Sequence, residues 1–156
     1  MTRRSIPFAV LAAGYLGIVA LMTLGPTPWR TRPPLGDYDV LSLSTWLDPE
    51  TWSRTVSAEF VANILLFVPL GLLLRFALPR GTWLGAALLG GALSVAIEIL
   101  QMGTSRISDP RDVVANTVGA LAGALLAALV AGIARVARSV VRRPTASRDA
   151  VGGRVS

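Results

Sequence analysis

The chain contains no cysteine, no histidine and no lysine. Without the first two, disulfide staples, thiolate or imidazole metal sites, a cysteine nucleophile and an imidazole general base are all excluded. Any chemistry must come from carboxylates, hydroxyls, amides and arginine. Charge is scarce as well: 15% of the 156 residues are charged against 53% apolar, with a mean hydropathy of +0.59. Those are membrane values, and a soluble domain of this length could not bury so much apolar surface. The fifteen basic residues, all arginine, leave a net charge of +6. They are spread over loops and tails rather than gathered on a basic face interleaved with aromatics, so no nucleic-acid partner is expected.

Four stretches are long enough to cross a bilayer, which takes about 20 apolar residues: 6–24, 60–78, 82–102 and 113–134. The second is adequate only if Glu59 and Arg75 sit near the two interfaces, which a snorkelling arginine permits. The expected fold is all-α, a polytopic membrane protein built as a bundle of four transmembrane helices over residues 1–134. Arginines in the flanks orient it. With the N-terminus in the cytoplasm, Arg3, Arg4, Arg75, Arg80, Arg135, Arg138, Arg142, Arg143, Arg148 and Arg154 lie inside, and Arg30, Arg32, Arg54, Arg106 and Arg111 outside. That excess predicts both termini inside. Arg3-Arg4 before an apolar run also has the outline of a signal peptide, but the run is too long and lacks a small-x-small cleavage site.

The segment 25–57 is then an extracytoplasmic loop, its early part denied regular structure by Pro26, Pro28, Pro33 and Pro34. Further along it, Asp48-Pro49-Glu50 has an N-cap residue followed by proline at the first helical position, so a short helix starts there. Trp29, Trp46 and Trp52 read as an interfacial belt, or, for the last two, as a lid over a site. Residues 135–156 are expected to form a basic cytoplasmic tail, a fraying helix that gives way to a largely disordered end, its arginines meeting anionic headgroups.

Glu98 interrupts a run that is otherwise uncharged over 81–105. A carboxylate at membrane depth is expensive and normally faces a protein interior or a wet cavity. Ala87, Gly91, Ser94, Glu98 and Gln101 are spaced 4, 3, 4 and 3 apart, a single helical stripe that turns from small to polar. Asp112, Asn116, Gly119, Gly123 and Ala127 repeat the pattern in the fourth span, where Gly119 and Gly123 form a GxxxG pair suited to close backbone approach. Glu59 and Asn63 share a face at the start of the second span, whose Pro69 is expected to kink it. On this topology Glu59, Asn63, Glu98, Gln101, Arg106, Asp109, Asp112 and Asn116 converge at the outer side of the membrane. Blander readings compete: Asp109 and Asp112 suit a helix start, Asn63 and Asn116 suit interhelical hydrogen bonding, Arg106 suits an interface anchor or the salt-bridge partner of Glu98 or Asp112, and Glu98 suits a structural ion pair.

The blocks Asn63-x-x-x-Phe67-x-Pro69-x-Gly71 and Glu98-x-x-Gln101, followed by Arg106, Asp109, Asp112, Asn116, Gly119 and Gly123, resemble the VanZ-like family of bacterial membrane proteins. The resemblance runs from Glu59 to Gly123. It implies a small polytopic protein of the bacterial cytoplasmic membrane, in a family named for a determinant of teicoplanin resistance. The function expected first is binding or shielding of a cell-envelope amphiphile, a lipid-linked wall precursor or a lipoglycopeptide such as teicoplanin. Arg106 would meet phosphate or carboxylate, and Glu98, Gln101, Asp112 and Asn116 would hydrogen-bond a headgroup. The alternatives are an intramembrane enzyme on lipid-linked substrates, with Glu98 and Asp112 as acid and base, and a proton-coupled transporter relaying through Glu98, which the lack of paired broken repeats disfavours. Oxygen donors alone would suit Mg²⁺ or Ca²⁺ rather than Zn²⁺; no metal and no cofactor is expected. Membrane lipids are the expected partners, and the oligomeric state is not legible.

Overall fold

The computed structural model describes residues 5–24, 40–53, 57–78, 82–101 and 109–141, and among these there are six helices and no strand. Four are long and apolar enough to cross a membrane: α1 (Ile6–Leu24), α4 (Ala58–Ala77), α5 (Trp83–Gln101) and α6 (Pro110–Val141). Between α1 and α4 lie two short helices, α2 (Leu43–Leu47) and α3 (Pro49–Ser53). The second of these begins at the Asp48-Pro49 step, where Asp48 Oδ1 accepts the Glu50 N–H at 2.9 Å; α2 has no counterpart in the sequence reading.

Helix ends follow local chemistry. Ser57 caps α4 by accepting the Phe60 N–H at 3.1 Å. At the other end Leu78 is extended, with φ −70° and ψ 131°, as a residue before proline prefers, and Pro79 follows in the chain. The fourth span differs most from expectation. It runs on to Val141, past the bound of 134 and into the segment read as fraying, because no glycine or proline interrupts the chain between 134 and 141. Its 32 residues make about 48 Å of helix, longer than a hydrocarbon core of about 30 Å. The last buried residue is Ala127, so the terminal turns carry Arg135 and Arg138 beyond the bundle. The remainder of the tail, 142–156, and the loop residues 25–39, including Trp29 and the four prolines, lie outside the described residues.

Packing sets the topology. Phe8 near the start of α1 lies against Phe76 near the end of α4, ring centroids 5.0 Å apart, while Gln101 at the end of α5 reaches Thr23 near the end of α1. Successive long helices therefore run in opposite directions, and α6 packs most broadly on α4, then on α5. In a bilayer, helices gain little from burying apolar surface against each other, so close van der Waals packing over small residues must hold them. A Cβ added at Gly119 would strike the carbonyl oxygen of Ile64, one at Gly123 that of Val68, and one at Gly71 the backbone of Ala120. On the α5 side, a Cβ at Gly91 would come within 2.9 Å of Thr117 Oγ1. Phe67, Leu70, Ala86, Ala120 and Ala124 fill the centre without exposure. Pro69 does not pack in this way. It sits two residues from Gly71, turns to the exposed side of α4, and the helix passes through it unbroken. Large exposed apolar side chains such as Leu65, Leu88 and Leu129 point outward, where acyl chains would cover them.

Candidate functional site

At one end of the bundle, the ends of α1 and α5 meet the starts of α4 and α6. Here the apolar interior gives way to buried polar side chains. Glu98 is 2% exposed, and its Oε2 accepts the Asp109 N–H at 3.2 Å, tying the end of α5 to the residue that precedes α6. Asp109 in turn accepts the Arg111 N–H on Oδ1 at 2.9 Å, as an N-cap residue does for the first turn of a helix. Asp112 stands in that first turn, where the helix dipole favours a negative charge. Gln101, also buried, donates from Nε2 to the Thr23 carbonyl at 2.8 Å and so fastens α1. Asn116 donates from Nδ2 to Ser94 Oγ at 2.8 Å across the α5–α6 interface. Its Oδ1 is buried and meets no donor.

These side chains surround a cavity of about 230 Å³, lined by Met22 and Thr23 of α1, Ala62, Asn63 and Leu66 of α4, Ile97 and Glu98 of α5, and Asp112 and Asn116 of α6. Every long helix contributes. Of the residues singled out from sequence, the cavity gathers Asn63, Glu98, Asp112 and Asn116. Gln101 and Asp109 lie beside it in joining roles, and Glu59, half-buried in the first turn of α4, is not part of its lining. Arg106 lies outside the described residues. Arg111 places its guanidinium 5.6 Å from the centre of the Phe60 ring, within reach of a cation–π attraction. Trp46 and Trp52 pack against each other with tilted rings, centroids 6.2 Å apart, and donate from their Nε1 atoms to the backbone carbonyls of Val40 and Trp46 respectively. Neither lines the cavity.

Sequence reasoning missed two participants. Ser94 was legible as a member of the polar stripe but not as the acceptor for Asn116. The α1 wall was missed because that helix has no polar stripe; Thr23, a hydroxyl near its end, was the available signal. Tyr15 likewise crosses to another helix and donates to the Leu66 carbonyl at 2.9 Å. Chemically the cavity offers two carboxylates and two amides inside an apolar bundle. That set can hold a polar group through hydrogen bonds or exchange protons with it, and among the described residues no three acidic side chains converge as a metal ligand set would.

Fold and site together define a multi-pass, four-helix membrane protein with a polar recess at one end. The VanZ/LLP1 family matches residues 12–131, from within α1 to within α6, and the chain belongs to that family. The match takes in the first helix, which the motif resemblance did not reach. No curated protein and no solved structure matches the chain.

Proposed function

We propose that this VanZ-like protein resides in the bacterial cytoplasmic membrane with both termini inside, and that its polar recess, on the extracytoplasmic side, binds or shields the headgroup of a cell-envelope amphiphile. The ligand class is a lipid-linked wall precursor or a lipoglycopeptide such as teicoplanin, and antibiotic resistance would follow from sequestering one or shielding the other. The observation that carries this reading is the cavity walled by all four long helices, with Asn63, Glu98, Asp112 and Asn116 on it. A bundle that needed only to hold together has its glycine contacts for that; burying a carboxylate at 2% exposure beside a cavity adds cost without adding packing. Arg106 remains the proposed contact for an anionic part of the ligand. The test is native mass spectrometry of the protein from mild detergent, wild type against Glu98→Gln, with co-purifying lipids identified. Retention of a specific amphiphile by the wild type and its loss from the variant is expected. If both carry only bulk lipid, the polar cluster serves the fold and the reading fails.

A second reading rests on Glu98 and Asp112 lining the same cavity, as an acid and a base would in an intramembrane enzyme acting on lipid-linked substrates. It requires turnover: the retained amphiphile would be converted by wild type and persist unchanged in Glu98→Gln. A binder leaves it intact in both.

A further inference from the structure

The kind of group that fits the recess can be narrowed, on the reading of it as a headgroup pocket. Volume bears first. At about 230 Å³ the cavity is smaller than the roughly 300–1,000 Å³ that take a drug-sized ligand. It admits a small headgroup and leaves the rest of an amphiphile in the bilayer. The polar lining bears next. Glu98 and Asp112 are already engaged within the protein, and the Thr23 hydroxyl is turned away to the Val19 carbonyl at 2.8 Å. Asn116 differs from all three: the residue is 3% exposed, its Nδ2 is committed to Ser94 Oγ, and its Oδ1 has no donor. Buried polar atoms are nearly always satisfied, so this oxygen calls for a partner. Asn63, half-buried on α4, brings a second amide to the same cavity, a group that can both donate and accept.

We infer that the recess receives a neutral hydroxyl of a polyol or sugar headgroup, with Asn116 Oδ1 accepting its O–H and the Asn63 amide donating to its oxygen. A hydroxyl both donates and accepts, as water does, so it displaces a water from a polar recess without losing the hydrogen bonds that the water made. A charged donor such as an ammonium would leave its hydration shell for a cavity whose carboxylates already have partners, and a buried charge with no free counter-charge is costly. A phosphate meets no basic side chain on the lining among the described residues, so it stays outside the recess, where it remains available to Arg106. An alkyl headgroup displaces the water and leaves Asn116 Oδ1 unpaired.

The experiment is lipid titration of the full chain in mild detergent by native mass spectrometry, with phosphatidylglycerol, phosphatidylpropanol and phosphatidylethanolamine of identical acyl chains, and free glycerol as competitor. The first two carry the same charge and differ only in the headgroup hydroxyls. Phosphatidylglycerol is expected to bind about tenfold tighter than phosphatidylpropanol, the scale of leaving one buried acceptor unpaired, and tighter than phosphatidylethanolamine. Asn116→Leu brings the ratio of the glycerol to the propanol lipid close to one. Equal binding of those two lipids by the wild type, both above bulk, overturns the hydroxyl assignment while leaving a headgroup pocket. So does binding of the ethanolamine lipid at least as tight as that of the glycerol lipid, and so does a glycerol preference that survives in Asn116→Leu. Displacement by free glycerol at affinity equal to the lipid's overturns the membrane source. If no lipid binds above bulk, the pocket reading itself falls. The lipid series on the wild type alone decides the matter should the variant fail to fold.

Discussion

Replacing Gly123 by alanine puts a methyl group where the Val68 carbonyl oxygen already stands, with the backbone of Leu72 close behind. No rotamer relieves this, because both the new carbon and the obstacle are fixed to helix backbones. The helices must part until the contact reaches an ordinary separation of 3.4 Å or more. Even a gap of about 0.5–1 Å, less than this contact requires, forfeits roughly a quarter to a half of each dispersion contact along the interface, and α4–α6 is the broadest interface in the bundle. That places Gly123→Ala toward the upper end of the ~1–3 kcal/mol usual for overpacking. Adding Gly119→Ala, aimed at the Ile64 carbonyl on the same seam, should cost less than a second full increment, since the first separation relieves part of the second clash. Gly132→Ala is the control: the same chemical change in the same helix, with nothing within 4 Å of the new carbon. It should be neutral or stabilising by up to ~1 kcal/mol through helix propensity. Equilibrium unfolding in mixed micelles, followed by circular dichroism, measures all three. Equal stability of Gly123→Ala and Gly132→Ala would refute the claim that backbone contact at this seam holds the bundle.

Two further outcomes follow from the hydrogen bonds. α1 buries only Ala12 and Val19 within its span, so its bonds to its neighbours should matter disproportionately: Tyr15→Phe and Gln101→Leu are each expected to cost about 1 kcal/mol, and both together should raise protease sensitivity at the α1 end before the remaining helices melt. Glu98→Leu leaves the Asp109 N–H without its acceptor and should destabilise by about 1–3 kcal/mol more than Glu98→Gln, whose amide oxygen can still accept; unfolding curves in which the two coincide would remove the structural share of Glu98's role.

How much of this is legible in the sequence depends on what kind of partner a residue has. Spacing tells which residues share a helix face, so the stripe of Gly119 and Gly123 and the stripe of Ser94 and Glu98 could be drawn from the chain alone. Spacing does not tell which atom lies opposite, and here the opposing atoms are mostly backbone: the Ile64 and Val68 carbonyls under the two glycines, the Thr23 carbonyl under Gln101, the Leu66 carbonyl under Tyr15. Every residue has a carbonyl, so sequence carries no mark of the one that is used. The same limit governs α6, where absence of a breaker beyond 134 was present in the chain but apolar length was taken as the bound. Pro69 shows the converse: its residue type suggested a kink, while the helix runs through it unbroken and its register with Gly71 places it on the outer side.

Asn116 is the residue at which a structural and a binding role can be separated by experiment. Its stripe position is compatible with interhelical hydrogen bonding, and one half of the amide does that work with Ser94. A residue selected only to join two helices in a bilayer gains nothing from burying its second polar atom unpaired, since that atom would count against the fold. Apolar substitution of such a residue should therefore lose the Ser94 bond and at the same time recover the cost of the orphaned oxygen, leaving ligand-free stability nearly unchanged. Asn116→Leu thus separates the two roles: near-wild-type unfolding of the lipid-stripped protein, together with loss of lipid-induced stabilisation, assigns the amide to the pocket. A large loss of stability in the stripped protein would instead assign it to the helix interface.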